Sequence, residues 1–155
     1  MRKISTATVS GRPGRLPSGR GPERENLEKL SNKLGLSDRI TFLGFVEDQK
    51  QVELYANSMA VFYAPYDEDF GYVTVEAFKS QKPVITATDS GGPLEFVDDG
   101  VNGYICDSTN HRQMAERIDH LYSHRDLCPE MGAAGLMKVE DISWDNVVAQ
   151  LTEGL

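Results

Sequence analysis

Ala60-Val61-Phe62-Tyr63-Ala64-Pro65-Tyr66-Asp67-Glu68-Asp69-Phe70-Gly71-Tyr72-Val73-Thr74-Val75-Glu76-Ala77-Phe78 joins a strand pattern to a helix pattern through a polar loop. Ala60 to Ala64 has no polar interruption and reads as a buried strand, and a helix follows from about Tyr72 to Ser80. Toward the C-terminus the same alternation returns. Pro83-Val84-Ile85-Thr86-Ala87 reads as a strand, Pro93 opens a short helix, and Gly103-Tyr104-Ile105 makes a last short strand. Met114, Ile118, Leu121 and Tyr122 mark a further helix whose stripe suits a core, and Leu127 and Met131 begin another. Ser143 can cap a final helix carrying Val147, Val148 and Leu151.

Toward the N-terminus, Leu27, Leu30 and Leu34 stand at helical spacing with Gly35 placed to end the helix. Ile40-Thr41-Phe42-Leu43 reads as a strand, and Asp48 can cap a helix with Val52, Tyr55 and Ala56 on its inner face. Strands and helices in alternation predict an α/β fold: a Rossmann-like parallel sheet with helices on both faces. Ligands of such sheets bind beyond the C-terminal strand ends, which directs attention to the loops after residues 43, 64, 87 and 105.

The loop after Ala64 carries the strongest chemistry. Gly71 lets backbone approach a ligand with no Cβ in the way. The helix beginning there aims free N–H groups and a positive dipole end at the crevice, which suits a pyrophosphate. Glu76, about one turn in, can accept from adjacent ribose hydroxyls, and Glu68 nearer the mouth can hold the hydroxyls of a sugar. Acids at a helix start are also favoured for local reasons, so spacing alone leaves a solvated helix start open.

Glu68 and Glu76, separated by seven residues that include Phe70-Gly71, resemble the Glu-x7-Glu motif of the group 1 retaining glycosyltransferases. Gly21-Pro22-Glu23-Arg24-Glu25-Asn26-Leu27 is similar to that family's Gly-Pro-Glu helix start, and Leu43-Gly44-Phe45-Val46 to the loop after its next strand. Lys82-Pro83-Val84-Ile85 looks like its following strand. Ser90-Gly91-Gly92-Pro93-Leu94-Glu95-Phe96-Val97, with Asp99-Gly100-Val101-Asn102-Gly103-Tyr104, looks like its last crevice loop, and Ser143-Trp144 like its closing helix. The resemblance runs in one order from residue 21 to residue 155.

The resemblance implies the C-terminal, donor-binding half of a GT-B fold, acting on a nucleotide diphosphate sugar without a metal or other cofactor. Glu68 and Glu76 would be catalytic, Glu76 on the donor ribose and Glu68 on the transferred sugar. Asp69, Phe70, Gly71, Tyr72 and Val73 would line the diphosphate and sugar, and Gly91 and Gly92 the base or ribose side. The reaction implied is hexosyl transfer to a hydroxyl with retained anomeric configuration. The family's first strand–helix unit, with an Arg and a Lys that clamp the diphosphate, has no counterpart in residues 1–20; Gly11-Arg12 lacks a following Lys-Gly, and Arg20 stands where Asp is usual. The N-terminal acceptor domain is absent too, so this chain alone is expected to be inactive. Two other readings stay open: a degenerate, non-catalytic nucleotide-sugar-binding or scaffold domain, and a nucleotide-sugar epimerase on a related fold.

Composition narrows the partners. Net charge is −8, but residues 1–20 hold five bases and no acid, leaving 11 bases against 24 acids in the remainder. So acidic a body cannot grip a nucleic-acid backbone. Residues 1–21, rich in Arg, Gly and Pro, read as a flexible or aberrant segment ahead of a domain over 22–155, with Pro17 arguing against a central strand. An organelle transit peptide is disfavoured there by Pro13 and Pro17. No run is long enough to span a membrane. Cys106 and Cys128 fit a reduced, cytoplasmic setting, at the inner face of a membrane if a partner places it there. Asp67-Glu68-Asp69 also spells a DxD metal motif, and His120 and His124 sit four apart on a helix; both are read as coincidence. An unpaired sheet edge is expected to promote self-association.

Overall fold

The computed structural model describes residues 6–10, 15–18 and 22–153, the first two segments by their backbone. The positions Gly11-Arg12 and Gly19-Arg20-Gly21 lie outside the described residues. In chain order the elements are β1 (Thr6–Ser10), β2 (Arg15–Ser18), α1 (Arg24–Lys33), α2 (Asp48–Ala56), β3 (Ser58–Phe62), α3 (Tyr72–Lys79), β4 (Val84–Ala87), α4 (Pro93–Phe96), β5 (Gly103–Cys106), α5 (His111–Ser123), α6 (Leu127–Val139) and α7 (Trp144–Thr152). The sheet order is β2-β1-β3-β4-β5. The β3–β4 and β4–β5 pairs are parallel, whereas β1 runs antiparallel to both β2 and β3.

The three parallel strands show why their runs are apolar throughout. Alternate side chains point to opposite faces, and both faces are covered. Ala60, Ile85, Tyr104 and Cys106 pack with Ile118, Leu121, Cys128 and Met131 of α5 and α6. Val61, Tyr63 and Val84 pack on the other side with Tyr55, Val75, Phe78 and Phe96. The result is the Rossmann-like α/β arrangement expected. The α5 stripe behaves as core at Ile118 and Leu121, while Tyr122 is part-exposed with the Arg125 guanidinium 4.3 Å from its ring centroid. Cys106 and Cys128 are both free and buried.

Four expectations need correction. Thr41 to Leu43 forms no strand; Ile40 and Gly44 hold only isolated bridge positions. The edges of β3 are taken by β4 and β1, so this run has no place beside it in the ladder. For the same reason β3 presents no bare edge to another molecule. Residues 1–21 contain two strands where no element was assigned; β2, with Pro17, is the outermost strand, the position where proline is tolerated. Asp48 is the first residue of α2 rather than its cap: Glu47 occupies the cap position without a side-chain bond, and only Tyr55 of the expected inner face is buried. Ser143 does cap α7, its Oγ accepting from Asn146 N at 3.1 Å.

Candidate functional site

The crevice is built by the loops after β3 and β4, which are tied together through backbone. Asp67 N donates to Asp89 O at 2.9 Å, Glu68 N to Ser90 O at 3.1 Å, and Gly92 N to Glu68 O at 2.6 Å. Glu68 and Gly91 thereby form a single parallel bridge beyond the strand ends. Buried Ser90 steadies the second loop, its Oγ accepting from Ala87 N at 3.1 Å.

The two glycines of that second loop are packed against the first loop. A Cβ at Gly91, where φ is +72°, would stand 2.5 Å from Glu68 O, and one at Gly92 would stand 2.6 Å from the backbone of Phe70. Their smallness lets the two loops lie against each other. It makes room for protein backbone first, and any room for a ligand follows from that contact.

Gly71 takes the left-handed cap position of α3 (φ +83°), and the helix has no side-chain cap. Its first amides are therefore available at the crevice. Phe70 turns its ring inward, 5.2 Å from the Phe96 centroid, and Val73 packs against the same core. At these two positions the ring and the isopropyl group are structural, leaving backbone for the crevice. Asp69 and Tyr72 are exposed. Asp67 adopts φ +47°, a conformation Asp tolerates better than most residues.

The two carboxylates are exposed, but each rests on a buried tyrosine. Tyr55 donates its hydroxyl to Glu76 Oε2 at 3.1 Å, and Gln51 Nε2 reaches the same oxygen at 2.8 Å. Burial, followed by the Glu76 charge, raises the Tyr55 phenol far above its ordinary range. Tyr63 lies beside Glu68 and is pushed up to about 12, first by burial, then by the charge of Glu68 and a hydrogen bond to it. Glu76 adds a smaller push to Tyr63, so this phenol feels both acids. Sequence reasoning placed Tyr55 on an inner face and Tyr63 in a strand without seeing these bonds. The available signal was that a buried tyrosine hydroxyl needs a partner.

Neither Glu68 nor Glu76 takes part in an ion pair between described residues. Of the histidine pair at the end of α5, His124 Nδ1 lies 3.0 Å from His120 O, and the His120 ring meets Tyr104 edge-on. A cavity of about 360 Å³ lined by Asn57, Ser58, Lys82 and Arg125 lies at the opposite, N-terminal end of the strands and shares no residue with the crevice.

Three parallel strands flanked by helices, with two acids and an uncapped helix start beyond their C-terminal ends, define a domain of the Rossmann-like class. Residues 10–136 match the family model described as glycosyl transferases group 1, and the chain belongs to that family. It is 34% identical over 117 residues to the alpha-1,3/1,6-mannosyltransferase ALG2 of Homo sapiens, covering 76% of this chain and 28% of that protein. It is 33% identical over 138 residues to the D-inositol 3-phosphate glycosyltransferase of Nocardia farcinica, covering 88% of this chain and 30% of the relative. The crystal structure of Anabaena Alr3699/HepE in complex with UDP and glucose superposes with a TM-score of 0.74 at 26% identity, over 89% of this chain and 39% of that one. The chain thus spans under a third of the length of these two curated relatives. Among the described residues no helix is long and apolar enough to cross a membrane.

Proposed function

We propose that this domain binds a nucleoside diphosphate sugar and supplies the donor side of a retaining glycosyl transfer, without a metal, in concert with an acceptor-binding domain. The observation that carries the reading is the backbone clamp between residues 67–68 and 89–92, which fixes Glu68 just ahead of the uncapped start of α3, while Gln51 and Tyr55 hold Glu76 one turn into that helix. Glu76 takes the ribose and Glu68 the hydroxyls of the transferred sugar. The backbone of Asp69 to Val73 lies along the diphosphate and sugar, and the Gly91-Gly92 loop flanks the base side. In the reaction the anomeric carbon–diphosphate bond breaks while the acceptor oxygen bonds on the same face, its proton passing to the departing diphosphate. The α3 amides and dipole oppose the charge growing on the departing diphosphate. Retention and metal independence rest on the Glu-x7-Glu resemblance. The absence from residues 1–20 of an Arg and Lys clamp is the reason for assigning transfer to the larger assembly. A cytoplasmic setting, at the inner face of a membrane through such a partner, belongs to the same reading.

Thermal unfolding with UDP-, GDP- and ADP-sugars tests it. A donor at a hundred times its dissociation constant adds roughly 2.7 kcal/mol, a shift of several degrees. One nucleotide series should give that shift, and Glu76→Ala should abolish it. A cooperatively folded sample that no donor stabilises would instead support the degenerate scaffold reading.

A further inference from the structure

We propose that Tyr55 and Gln51 are positioning residues for Glu76: together they occupy its Oε2 and leave Oε1 as the oxygen that meets the ligand ribose. The inference rests on the donor-site reading above and deepens it. Gln51 and Tyr55 are four residues apart on α2 and so share one face. Gln51 Nε2 lies 3.0 Å from the Tyr55 hydroxyl and 2.8 Å from Glu76 Oε2, and that hydroxyl lies 3.1 Å from the same Oε2. An ionised carboxylate only accepts, so the phenol must donate to it. The Gln51 group facing both must then be its NH2, spending one hydrogen on each. The donor directions are thus fixed by chemistry as well as by distance. Two donors fill the acceptor sites of Oε2, whereas Oε1 has no hydrogen bond to a described residue. The phenol is the buried member of the set, at 3% exposure, whereas Glu76 is exposed. Burial together with the Glu76 charge keeps Tyr55 protonated, hence a donor, across the physiological range.

This geometry alters what Glu76 can do. A free carboxylate can straddle a ribose diol with one oxygen for each hydroxyl. Here both hydroxyls must share Oε1, or one of them goes without. Removing the phenol frees the carboxylate to turn, so ribose recognition loses its fixed acceptor while the rest of the nucleotide is held as before.

The test is titration calorimetry of the full chain with UDP, GDP and ADP, each beside its 2′-deoxy and 3′-deoxy analogue. A hydrogen bond to a charged acceptor corresponds to about a ten- to hundredfold preference for the ribonucleotide over at least one deoxy form. Tyr55→Phe should bring that preference to within roughly threefold while leaving deoxynucleotide affinity unchanged. Gln51→Met should lower it in the same sense, and decides the matter if Tyr55→Phe does not fold. A Tyr55 that only supports packing would weaken both nucleotides alike and leave the ratio intact. An unchanged ratio in the folded variant, with Glu76→Gln still abolishing it, overturns the positioning role alone. Absence of any ribose preference in the unaltered chain, with Glu76→Gln equally silent, removes the donor-site reading and this inference with it.

Discussion

At single residues, the site depends on atoms that are missing as much as on those present. Gly91 combines a left-handed backbone with contact to Glu68, whereas Gly100 has φ +75° and nothing within 4 Å of where a Cβ would stand. The pair separates two costs. Gly100→Ala should lose only about 1 kcal/mol for the backbone. Gly91→Ala should lose a further 1–3 kcal/mol or so for the forced separation of the loops. Urea unfolding measures both, and the nucleotide-induced shift should vanish in Gly91→Ala although both acids are intact. Tyr63 gives a pH signature. Its folded pKa is raised from 10.0 to about 12, so the folded state holds the proton more tightly. That stability is complete below pH 10 and is lost between about pH 10 and 12 as the unfolded chain ionises first. Tyr55 shifts in the same direction. Unfolding midpoints should fall across this window, and Tyr63→Phe should flatten part of the fall.

Among the elements, those that could be read from sequence are the ones whose local pattern and tertiary setting agree. β3, β4 and β5 are short apolar runs buried on both faces, and α3 and α5 carry stripes that meet them. Ile40-Thr41-Phe42-Leu43 has the same local pattern, but a strand exists only through its neighbour, and β1 holds that place. No local signal announces β1 or β2, since pairing is a long-range event. The acids of the crevice were singled out by their resemblance to a family motif, since spacing alone left a solvated helix start open; the tyrosines beneath them gave no such signal, because they come from α2 and β3 and meet the acids only after folding. α7 is legible through its cap and yet has no buried residue. Its cap and its anchoring therefore separate in experiment. Ser143→Ala should cost the helix about 1 kcal/mol. Because α7 adds nothing to the buried core, that loss should stay local. Limited proteolysis within 144–152 should accelerate while the global thermal midpoint stays nearly fixed.

For the whole molecule the question is which surface brings copies together. A sheet edge is the usual suspect, but β5 is guarded: Ile105 N donates to Asp99 Oδ1 at 2.9 Å, and Gly103 O accepts from Gly100 N at 2.9 Å. Such local cover blunts edge pairing. The helical surface is less protected. Trp144 is 78% exposed and Leu151 75%, with Val148 on the same helix also exposed. Apolar exposure gathered on one element marks an interaction surface, whereas scattered single residues do not. Alone, the chain should self-associate through it as concentration rises. Trp144→Gln, Val148→Thr and Leu151→Gln combined should return it to a single small species in sedimentation velocity. The nucleotide-induced thermal shift should survive these changes, since none touches the crevice loops. If the combined variant associates as strongly as the unaltered chain, the contact lies at the outer strand β2 instead, and a proline at Leu16 becomes the change that should disperse it.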